Sequence, residues 1–347
     1  MKTFILRTLL GLGVVLGGCA VPRPPVRIHG DFEVAANDDQ LLFAAISAGC
    51  SGLYTLRTTS PAVVSAVLVR SNSGIFSSPC YLARHRRLVY LYHQRGGSTI
   101  ESCTLAGDSV QTLFATSFPL TSLAVAPTED RLYFVAARNV GHSSPVAPIS
   151  ARDVRLYTIT LGDSTARPAS HLQAYQSQGK PQFDASGQHL LLNLFSPKEV
   201  GLSGPFALNL THDGLRYLLP TSLLRHKTRL REPATGTTAR FNRIFQDFVR
   251  PVPAYLDSSY YLIDHHQVIK VSAGAAPPQM LYRNWLTSSK SDDRAEAYSI
   301  AGATPLHHSD SLLVYEEGLK TLRFLLFGPD GHRRQLPVPL PLPRPAH

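Results

Sequence analysis

Residues 88–92 (LVYLY) are the clearest of six similar stretches that decide the fold. Each stretch is short, apolar and rich in β-branched or aromatic residues, and each follows a polar turn, a pattern typical of β-strands. The other five are residues 41–46 (LLFAAI), 132–135 (LYFV), 190–194 (LLLNL), 260–263 (YYLI) and 312–315 (LLVY). The chain is therefore predicted to be all-β and to contain one structural unit six times.

A second strand-like run follows each of the six, so each unit is predicted to contain a β-hairpin. These runs are residues 53–56, 100–105, 156–161, 206–210, 268–271 and 322–327. A strand-built repeat of roughly 40 to 50 residues is typical of a β-propeller. We therefore predict a single β-propeller of about six four-stranded blades. A pair of β-sandwiches is the alternative, although it does not require six units with the same order of turns and strands.

Three of the turns before the apolar runs have a similar composition: residues 37–40 (NDDQ), 126–131 (APTEDR) and 183–188 (FDASGQ). They resemble the SPDGK turn of TolB-like and related periplasmic propellers, in which this turn joins the inner strand of a blade to the second strand. The resemblance spans nearly the whole chain behind the export signal. It implies a protein-binding role, because TolB-like propellers dock peptides and lipoproteins at one end of the channel.

Residues 1–18 are predicted to be an export signal. Lys2 and Arg7 form a positive region before an apolar run over residues 9–16. This run is too short to cross about 30 Å of hydrocarbon, which takes roughly 20 residues. Two glycines then precede Cys19 in a pattern that resembles the bacterial lipobox, which implies acylation of the Cys19 thiol and a lipid anchor. An ordinary cleaved signal with a chance cysteine is the alternative.

The remaining segments follow from composition. Residues 19–30 are proline-rich and are predicted to form a stiff tether. Residues 31–336 are predicted to form the propeller, with an insertion at about 222–250. Residues 337–347 are predicted to be a Pro-rich tail. In enterobacterial lipoproteins, an aspartate directly after the lipidated cysteine retains the protein in the inner membrane. Here this position is occupied by Ala20. By this analogy the outer membrane is favoured, and both its periplasmic and its surface side remain open.

The charge and the cysteines exclude some classes of function. A formal net charge of +10 is compatible with acidic partners, but a basic surface with no specific partner is the favoured interpretation. No nucleic-acid partner is expected, because an exported protein rarely meets one and the aromatic residues lie in strand patterns. Cys50, Cys80 and Cys103 allow one disulfide and one free thiol, and their spacing selects no pairing. No CxxC or His-rich spacing occurs, so neither a metal nor a cofactor is predicted.

A different periodicity occurs between the fourth and fifth units. Phe241, Ile244, Phe245, Phe248 and Val249 follow the spacing of one helical face, which predicts an inserted helix of about three turns. Its apolar face either packs against the propeller or docks a partner. The candidate partner-binding residues are therefore Phe241, Ile244, Phe245 and Phe248.

Two polar turns are candidate ligand sites at the mouth of the channel. Asp264 and His266 follow the fifth apolar run, and His307 and Asp310 precede the sixth. If adjacent blades bring these residues to one end, imidazole and carboxylate groups there suit a divalent metal or a general base. Residues that only stabilise the turns are the alternative.

No catalytic residue is identified. The sequence contains no phosphate loop, and residues 201–204 (GLSG) lack the final glycine of a nucleophile elbow. We therefore expect a lipid-anchored propeller of the cell envelope that acts as a non-catalytic scaffold for another envelope protein. A carbohydrate-binding or hydrolytic propeller with a polar site at the channel mouth is the alternative.

Overall fold

The computed structural model describes residues 26–59, 62–71, 74–142, 149–170, 176–177, 180–195, 203–224, 229–231, 238–240, 249–272, 274, 276–284, 298–318, 322–338, 340 and 342–343. Within these residues the strands form six antiparallel blades in a propeller ring, which confirms the predicted fold class. Each blade begins with its inner strand, and the chain then moves outward strand by strand.

The first three blades each contain four strands in chain order. Blade 1 consists of β1 (Val26–Val34), β2 (Gln40–Ser47), β3 (Cys50–Arg57) and β4 (Val64–Arg70). Blade 2 consists of β5 (Ile75–Leu82), β6 (Arg87–Gln94), β7 (Gly97–Thr104) and β8 (Gln111–Thr116). Blade 3 consists of β9 (Leu120–Val125), β10 (Arg131–His142), β11 (Ile149–Thr160) and β12 (Arg167–Pro168).

Blade 4 has an inner strand in two pieces, because two short strands pair with the same edge of its second strand. It consists of β13 (Gln176–Ser177), β14 (Gln182–Phe183), β15 (His189–Phe195), β16 (Ser203–Asn209) and β17 (Leu215–Tyr217). A helical turn α1 (Thr221–Leu224) and a hairpin of β18 (Arg229–Arg231) and β19 (Thr238–Arg240) follow. Blade 5 consists of β20 (Arg250–Pro253), β21 (Tyr260–Ile263), β22 (Gln267–Val271) and β23 (Gln279–Arg283), and blade 6 of β24 (Ser299–Pro305), β25 (Leu312–Glu317), β26 (Leu322–Phe327) and β27 (Arg333–Leu336).

The six apolar runs found in the sequence are the second strands of the six blades, and the runs that follow them are the third strands. A second strand is buried on both faces, because its blade is packed between two neighbouring blades. In β25 the side chains of Leu312, Leu313, Val314 and Tyr315 all have 0% exposure. A continuous apolar run is what a strand covered on both faces requires.

The turns between the inner and second strands have a common backbone feature. A residue with left-handed φ occurs in four of them: Asp38 (60°), Arg86 (52°), Glu129 (54°) and Gly187 (70°). Glycine and short polar residues tolerate this conformation best, as at Gly187 and Asp38, whereas Arg86 and Glu129 adopt it at a higher cost. Since all inner strands end here, these turns lie at one end of the ring, which we call the mouth end.

One boundary differs from that expected from the sequence, and one predicted element cannot be compared. Strand β1 begins at Val26, so residues 26–30 belong to the first blade and not to the tether. Proline-rich composition just before this strand concealed its start. The helix predicted from Phe241, Ile244, Phe245 and Phe248 lies outside the described residues. Val249, its last predicted residue, is buried and immediately precedes β20.

The ring closes between blades 1 and 6 without a shared sheet, because each of these blades takes all four strands from its own end of the chain. The Asp38 carboxylate accepts hydrogen bonds from the backbone N–H groups of His307 and His308, both at 2.7 Å. The His307 ring also donates to the Val34 carbonyl at 3.2 Å. Polar contacts at the mouth end thus join the first blade to the last.

An apolar cluster joins the same two blades below these contacts. Phe32 of β1 meets the ring of Phe324 edge-on, with centroids 5.4 Å apart, and Tyr315 packs against both. The cluster extends to Leu342 of the Pro-rich tail, which is buried within it. Edge-to-face aromatic pairs contribute about 0.5–1.5 kcal/mol beyond the burial of their area, so this junction is a large part of what closes the ring.

The three cysteines of the described chain are free. Cys80 and Cys103 are buried in different strands of blade 2, β5 and β7, and Cys50 is partly exposed. No helix among the described residues is long and apolar enough to span a membrane.

Candidate functional site

A cavity of about 370 Å³ opens at the mouth end of the central channel, and we call it the mouth cavity. The ends of the inner strands and the turns that follow them form its wall. Every blade contributes to the lining: Glu33, Tyr81, Pro127, Gln182, Tyr255 and His307 come from blades 1 to 6 in order. A cavity of this volume lies within the size range of ligand sites in proteins.

An ion pair lies at the base of the mouth cavity. The Lys180 ammonium is 2.5 Å from the Glu33 carboxylate and 3.4 Å from the Pro79 carbonyl oxygen. Burial alone would lower the pKa of Lys180, but the nearby Cys80 and the Glu33 carboxylate together outweigh burial, so the pKa lies above its ordinary value. The other Glu33 oxygen accepts the Tyr81 backbone N–H at 3.0 Å. Both charges are therefore compensated, and the pair links blades 1, 2 and 4.

A second, much smaller void of about 20 Å³ lies next to the mouth cavity, and Lys180 and Gln182 line both. These two side chains therefore separate the two spaces. Asp31 and Arg250 line the smaller void, which is large enough for about one water molecule. Burial raises the pKa of Asp31, although the Ser78 hydroxyl donates to it at 2.5 Å. The channel thus narrows beneath the mouth cavity.

Two buried polar atoms on the wall of the mouth cavity lack a hydrogen-bond partner among the described residues: the Tyr81 hydroxyl and Gln182 Oε1. The amide nitrogen of Gln182 donates to the Ala303 carbonyl at 3.2 Å, and the buried amide oxygen accepts no hydrogen bond from the described residues. A buried polar group without a partner costs about 1–3 kcal/mol. Solvent or a ligand with a hydrogen-bond donor would remove this cost.

A flat aromatic surface forms another part of the wall. The rings of Tyr255 and His307 are stacked, with centroids 4.7 Å apart and an interplanar angle of 5°. Burial raises the pKa of Tyr255, so its phenol is neutral at physiological pH. The hydrogen bond from His307 to Val34 fixes this surface in place.

The structure does not bring the two predicted polar turns together. Asp264 and His266 lie between the second and third strands of blade 5, whereas His307 and Asp310 lie between the first and second strands of blade 6. Successive turns of an antiparallel blade alternate between its two ends. The first pair is therefore at the end opposite the mouth, and of the four residues only His307 lines the mouth cavity.

The other three residues stabilise their own surroundings. The Asp264 carboxylate accepts the backbone N–H groups of His266 and Gln267, at 2.7 and 2.9 Å, and so closes the turn after β21. Asp310 lies 3.7 Å from the Lys270 ammonium. No group of three or more His, Cys, Asp or Glu side chains suited to a metal ion occurs in the described part of the chain.

A serine–histidine pair lies away from the mouth cavity. The Ser77 hydroxyl is 2.7 Å from His93 Nε2, and the other ring nitrogen meets the Ser98 hydroxyl at 2.9 Å. A catalytic triad places a carboxylate where Ser98 lies. This pair therefore joins strands of blade 2 without the acid that would orient the histidine for catalysis.

Sequence reasoning missed most of the mouth cavity. Glu33, Tyr81, Lys180, Gln182 and Tyr255 come from inner strands or from segments just beside them, and these contain no long apolar run. A signal was present in β1, where four charged or titratable residues alternate with apolar ones: Arg27, His29, Asp31 and Glu33. Period-two alternation predicts a strand with one polar face, here facing the channel and blade 2.

No protein-family model matches the chain. No curated protein matches it either. Solved structures do. TolB from Acinetobacter baumannii is 11% identical, with a TM-score of 0.50 over 90% of this chain and 79% of that chain. The fold is that of a TolB-like propeller.

The TolB-like fold is shared with enzymes. An oligogalacturonate lyase in complex with manganese is 12% identical, with a TM-score of 0.50 over 90% of this chain and 78% of that one. A puromycin hydrolase mutant is 10% identical, with a TM-score of 0.52 over 90% of this chain but only 45% of the hydrolase. At such identities the likeness concerns the fold alone, so function has to be argued from the site.

Proposed function

We propose that this chain is a lipid-anchored propeller of the cell envelope that binds an extended segment of another envelope protein in the mouth cavity. The observation behind the proposal is the cavity itself, which is preformed and lined by all six blades. A rigid wall reduces the entropy lost on binding, so a short segment can be held without rearrangement. The mechanism is recognition without covalent chemistry.

The direction of β1 supports an orientation for this assembly. Strand β1 runs toward the mouth end, because Glu33 and Val34 at its C-terminal end line the mouth cavity. The chain therefore enters the propeller at the opposite end. An anchor on Cys19 would hold that end toward the membrane and leave the mouth cavity facing away from it, accessible to a partner. The docking helix predicted from Phe241, Ile244, Phe245 and Phe248 remains a second candidate contact.

Site-specific photo-crosslinking in living cells tests the proposal. A photoreactive residue replaces Ala36, which is exposed on the rim of the mouth cavity, or Ala115, which is exposed on the outer strand β8 as a matched control. We expect one dominant crosslinked envelope protein from position 36 and none from position 115. Loss of this product in the Cys19→Ser variant would show that the anchor brings the two proteins together.

Two results would overturn the proposal. Crosslinks of equal yield from positions 36 and 115 would indicate nonspecific proximity. Absence of any protein crosslink at position 36, in cells where the chain is folded and exported, would remove the protein-binding role.

A carbohydrate ligand is the second candidate, and the stacked Tyr255 and His307 rings favour it because sugar rings pack against flat aromatic surfaces. An oligogalacturonate lyase with a similar fold provides the probe. Saturation-transfer NMR with oligogalacturonates would give signals that disappear in a Tyr255→Ala variant if a sugar binds. Signals that persist in this variant, or no signals, would exclude this site for these sugars.

A further inference from the structure

The mouth cavity narrows at its base. Lys180 and Gln182 form this floor, and the space beyond them has room for about one water molecule. Lys180 is held by Glu33, and Gln182 is held by the Ala303 carbonyl. A bound segment therefore meets the floor with an end or with a single side chain.

The charge of the mouth cavity differs from that of the whole chain. The lining contains three carboxylates, on Glu33, Glu129 and Asp184, and one lysine, Lys180. Lys180 is already paired with Glu33, so the charges on Glu129 and Asp184 are left for a ligand. Since the full chain has a formal net charge of +10, this negative region is a local feature.

Polar contacts hold both rim carboxylates in place. The Asp184 carboxylate accepts the His189 backbone N–H at 3.1 Å and the Ser186 hydroxyl at 2.8 Å, and it lies 3.0 Å from His189 Nδ1. Glu129 accepts the Arg84 backbone N–H at 2.9 Å, while the Arg84 guanidinium is directed to the Thr128 carbonyl at 3.1 Å. An ionised carboxylate has about four acceptor positions, so Glu129 retains several for a ligand and Asp184 retains about one.

The unpaired acceptor on the wall of the mouth cavity indicates a ligand with a hydrogen-bond donor. Gln182 Oε1 is an acceptor and is buried without a partner among the described residues. An ammonium group has three donors and no acceptor, so its chemistry suits this oxygen at the floor and the carboxylates at the rim. The aromatic face of Tyr255 is suited to the apolar stem of a lysine or to the cation itself.

We propose that the mouth cavity selects a primary ammonium group of its partner, either a free amino terminus or a lysine side chain at the tip of an extended segment. This inference rests on the proposed function and specifies the chemistry that the cavity recognises. Acidic segments are disfavoured because the rim carboxylates repel them, and neutral segments are disfavoured because they carry no charge that compensates these carboxylates.

The test uses the purified full chain in detergent micelles and a synthetic random heptapeptide library with free amino termini. Its N-acetylated counterpart distinguishes an amino terminus from a lysine side chain. The retained peptides are identified by mass spectrometry, and the best is resynthesised for affinity measurement. We expect enrichment of lysine or dependence on the free terminus, and an affinity that falls as salt is added.

Matched variants locate the binding. Glu129→Gln and Asp184→Asn should each weaken the affinity for the best peptide about fivefold, which is the upper end of what a partly exposed ion pair contributes. Asp163→Asn removes the same charge from an exposed turn outside the cavity and should leave affinity unchanged. Ala36→Trp fills the rim from an exposed position and should abolish binding, whereas Ala115→Trp on the outer strand should not. Melting temperatures of all variants establish that they are folded.

The outcomes separate this inference from the proposed function. Neutral or acidic peptides that bind and are blocked by Ala36→Trp would overturn the ammonium selectivity and leave a peptide site at the mouth. Peptides retained equally by Ala36→Trp, or no retained peptide, would overturn both.

Discussion

Replacement of Asp38 should weaken the junction at which the ring closes. Its carboxylate accepts two backbone N–H groups of blade 6, from His307 and His308, each at 2.7 Å. A hydrogen bond to a charged group contributes about 1.5–3 kcal/mol, and partial exposure places these two at or below the lower limit. Asp38 also has a φ of 60°, which costs alanine about 1 kcal/mol more. We therefore expect Asp38→Ala to lower the free energy of unfolding by about 3 kcal/mol.

Asparagine separates the two contributions. It tolerates left-handed φ and keeps one acceptor oxygen, so Asp38→Asn should cost about 1 kcal/mol. Urea unfolding followed by far-UV circular dichroism gives both values, with the Cys19→Ser form as background to remove the lipid. Asp163→Ala, on an exposed turn at the same end, should change stability by less than about 0.5 kcal/mol.

Hydrogen exchange adds spatial information to the same variants. In Asp38→Ala, amides of β1 and β25 should exchange faster, while amides of blade 3 should exchange as in the unchanged chain. A loss below about 0.5 kcal/mol, or faster exchange spread over all six blades, would refute the reasoning and assign ring closure to the apolar cluster of Phe32 and Phe324 alone.

Three further predictions concern groups away from the mouth cavity. Burial, with help from the nearby positive charge of Arg27, lowers the pKa of His29 to about 4 from 6.5, so the folded state resists protonation. The contribution of neutral His29 to the free energy of unfolding is fully present above about pH 6.5, and about 3 kcal/mol of it should be lost as the pH drops to about 4. His29→Leu should flatten this decline in urea titrations, and an unchanged decline would contradict the prediction. Arg323→Ala leaves the fully buried Glu316 without its ion-pair partner at 2.7 Å and should cost about 2–3 kcal/mol, whereas a cost below 0.5 would show that the pair contributes little. Burial raises the pKa of Cys103 to about 11, so iodoacetamide should modify Cys50 in the folded chain and leave Cys103 unmodified until urea is added; equal rates would contradict the burial.

The sequence predicted the middle of each blade and missed its inner edge. Second strands such as β6 and β25 are covered by blades on both faces, so they require apolar runs that periodicity detects directly. Inner strands face the channel along one side and need few apolar residues. In blade 4 the inner strand is reduced to pieces of two residues, β13 and β14, which no periodicity can identify.

The same difference explains the outcome for the candidate site. The adjacent histidines His307 and His308 mark a candidate site in the sequence, and His307 does line the mouth cavity. Asp264 lies at the opposite end, because spacing along the chain does not tell which end of a blade a turn occupies. Lys180 and Glu33 meet across 147 positions of sequence, a contact that only the closed ring produces.

The most direct test of the central claim is a photo-crosslinking scan around the mouth cavity in living cells. Photoreactive residues at Ala36, Ala185 and Leu256 sample the exposed turns of blades 1, 4 and 5 at the mouth end, and Ala115 samples an outer strand. If the mouth cavity binds the partner, all three mouth positions crosslink to the same envelope protein, and Ala36→Trp suppresses the products at the other two. Crosslinks confined to the outer strand, or different proteins at each mouth position, would contradict the claim.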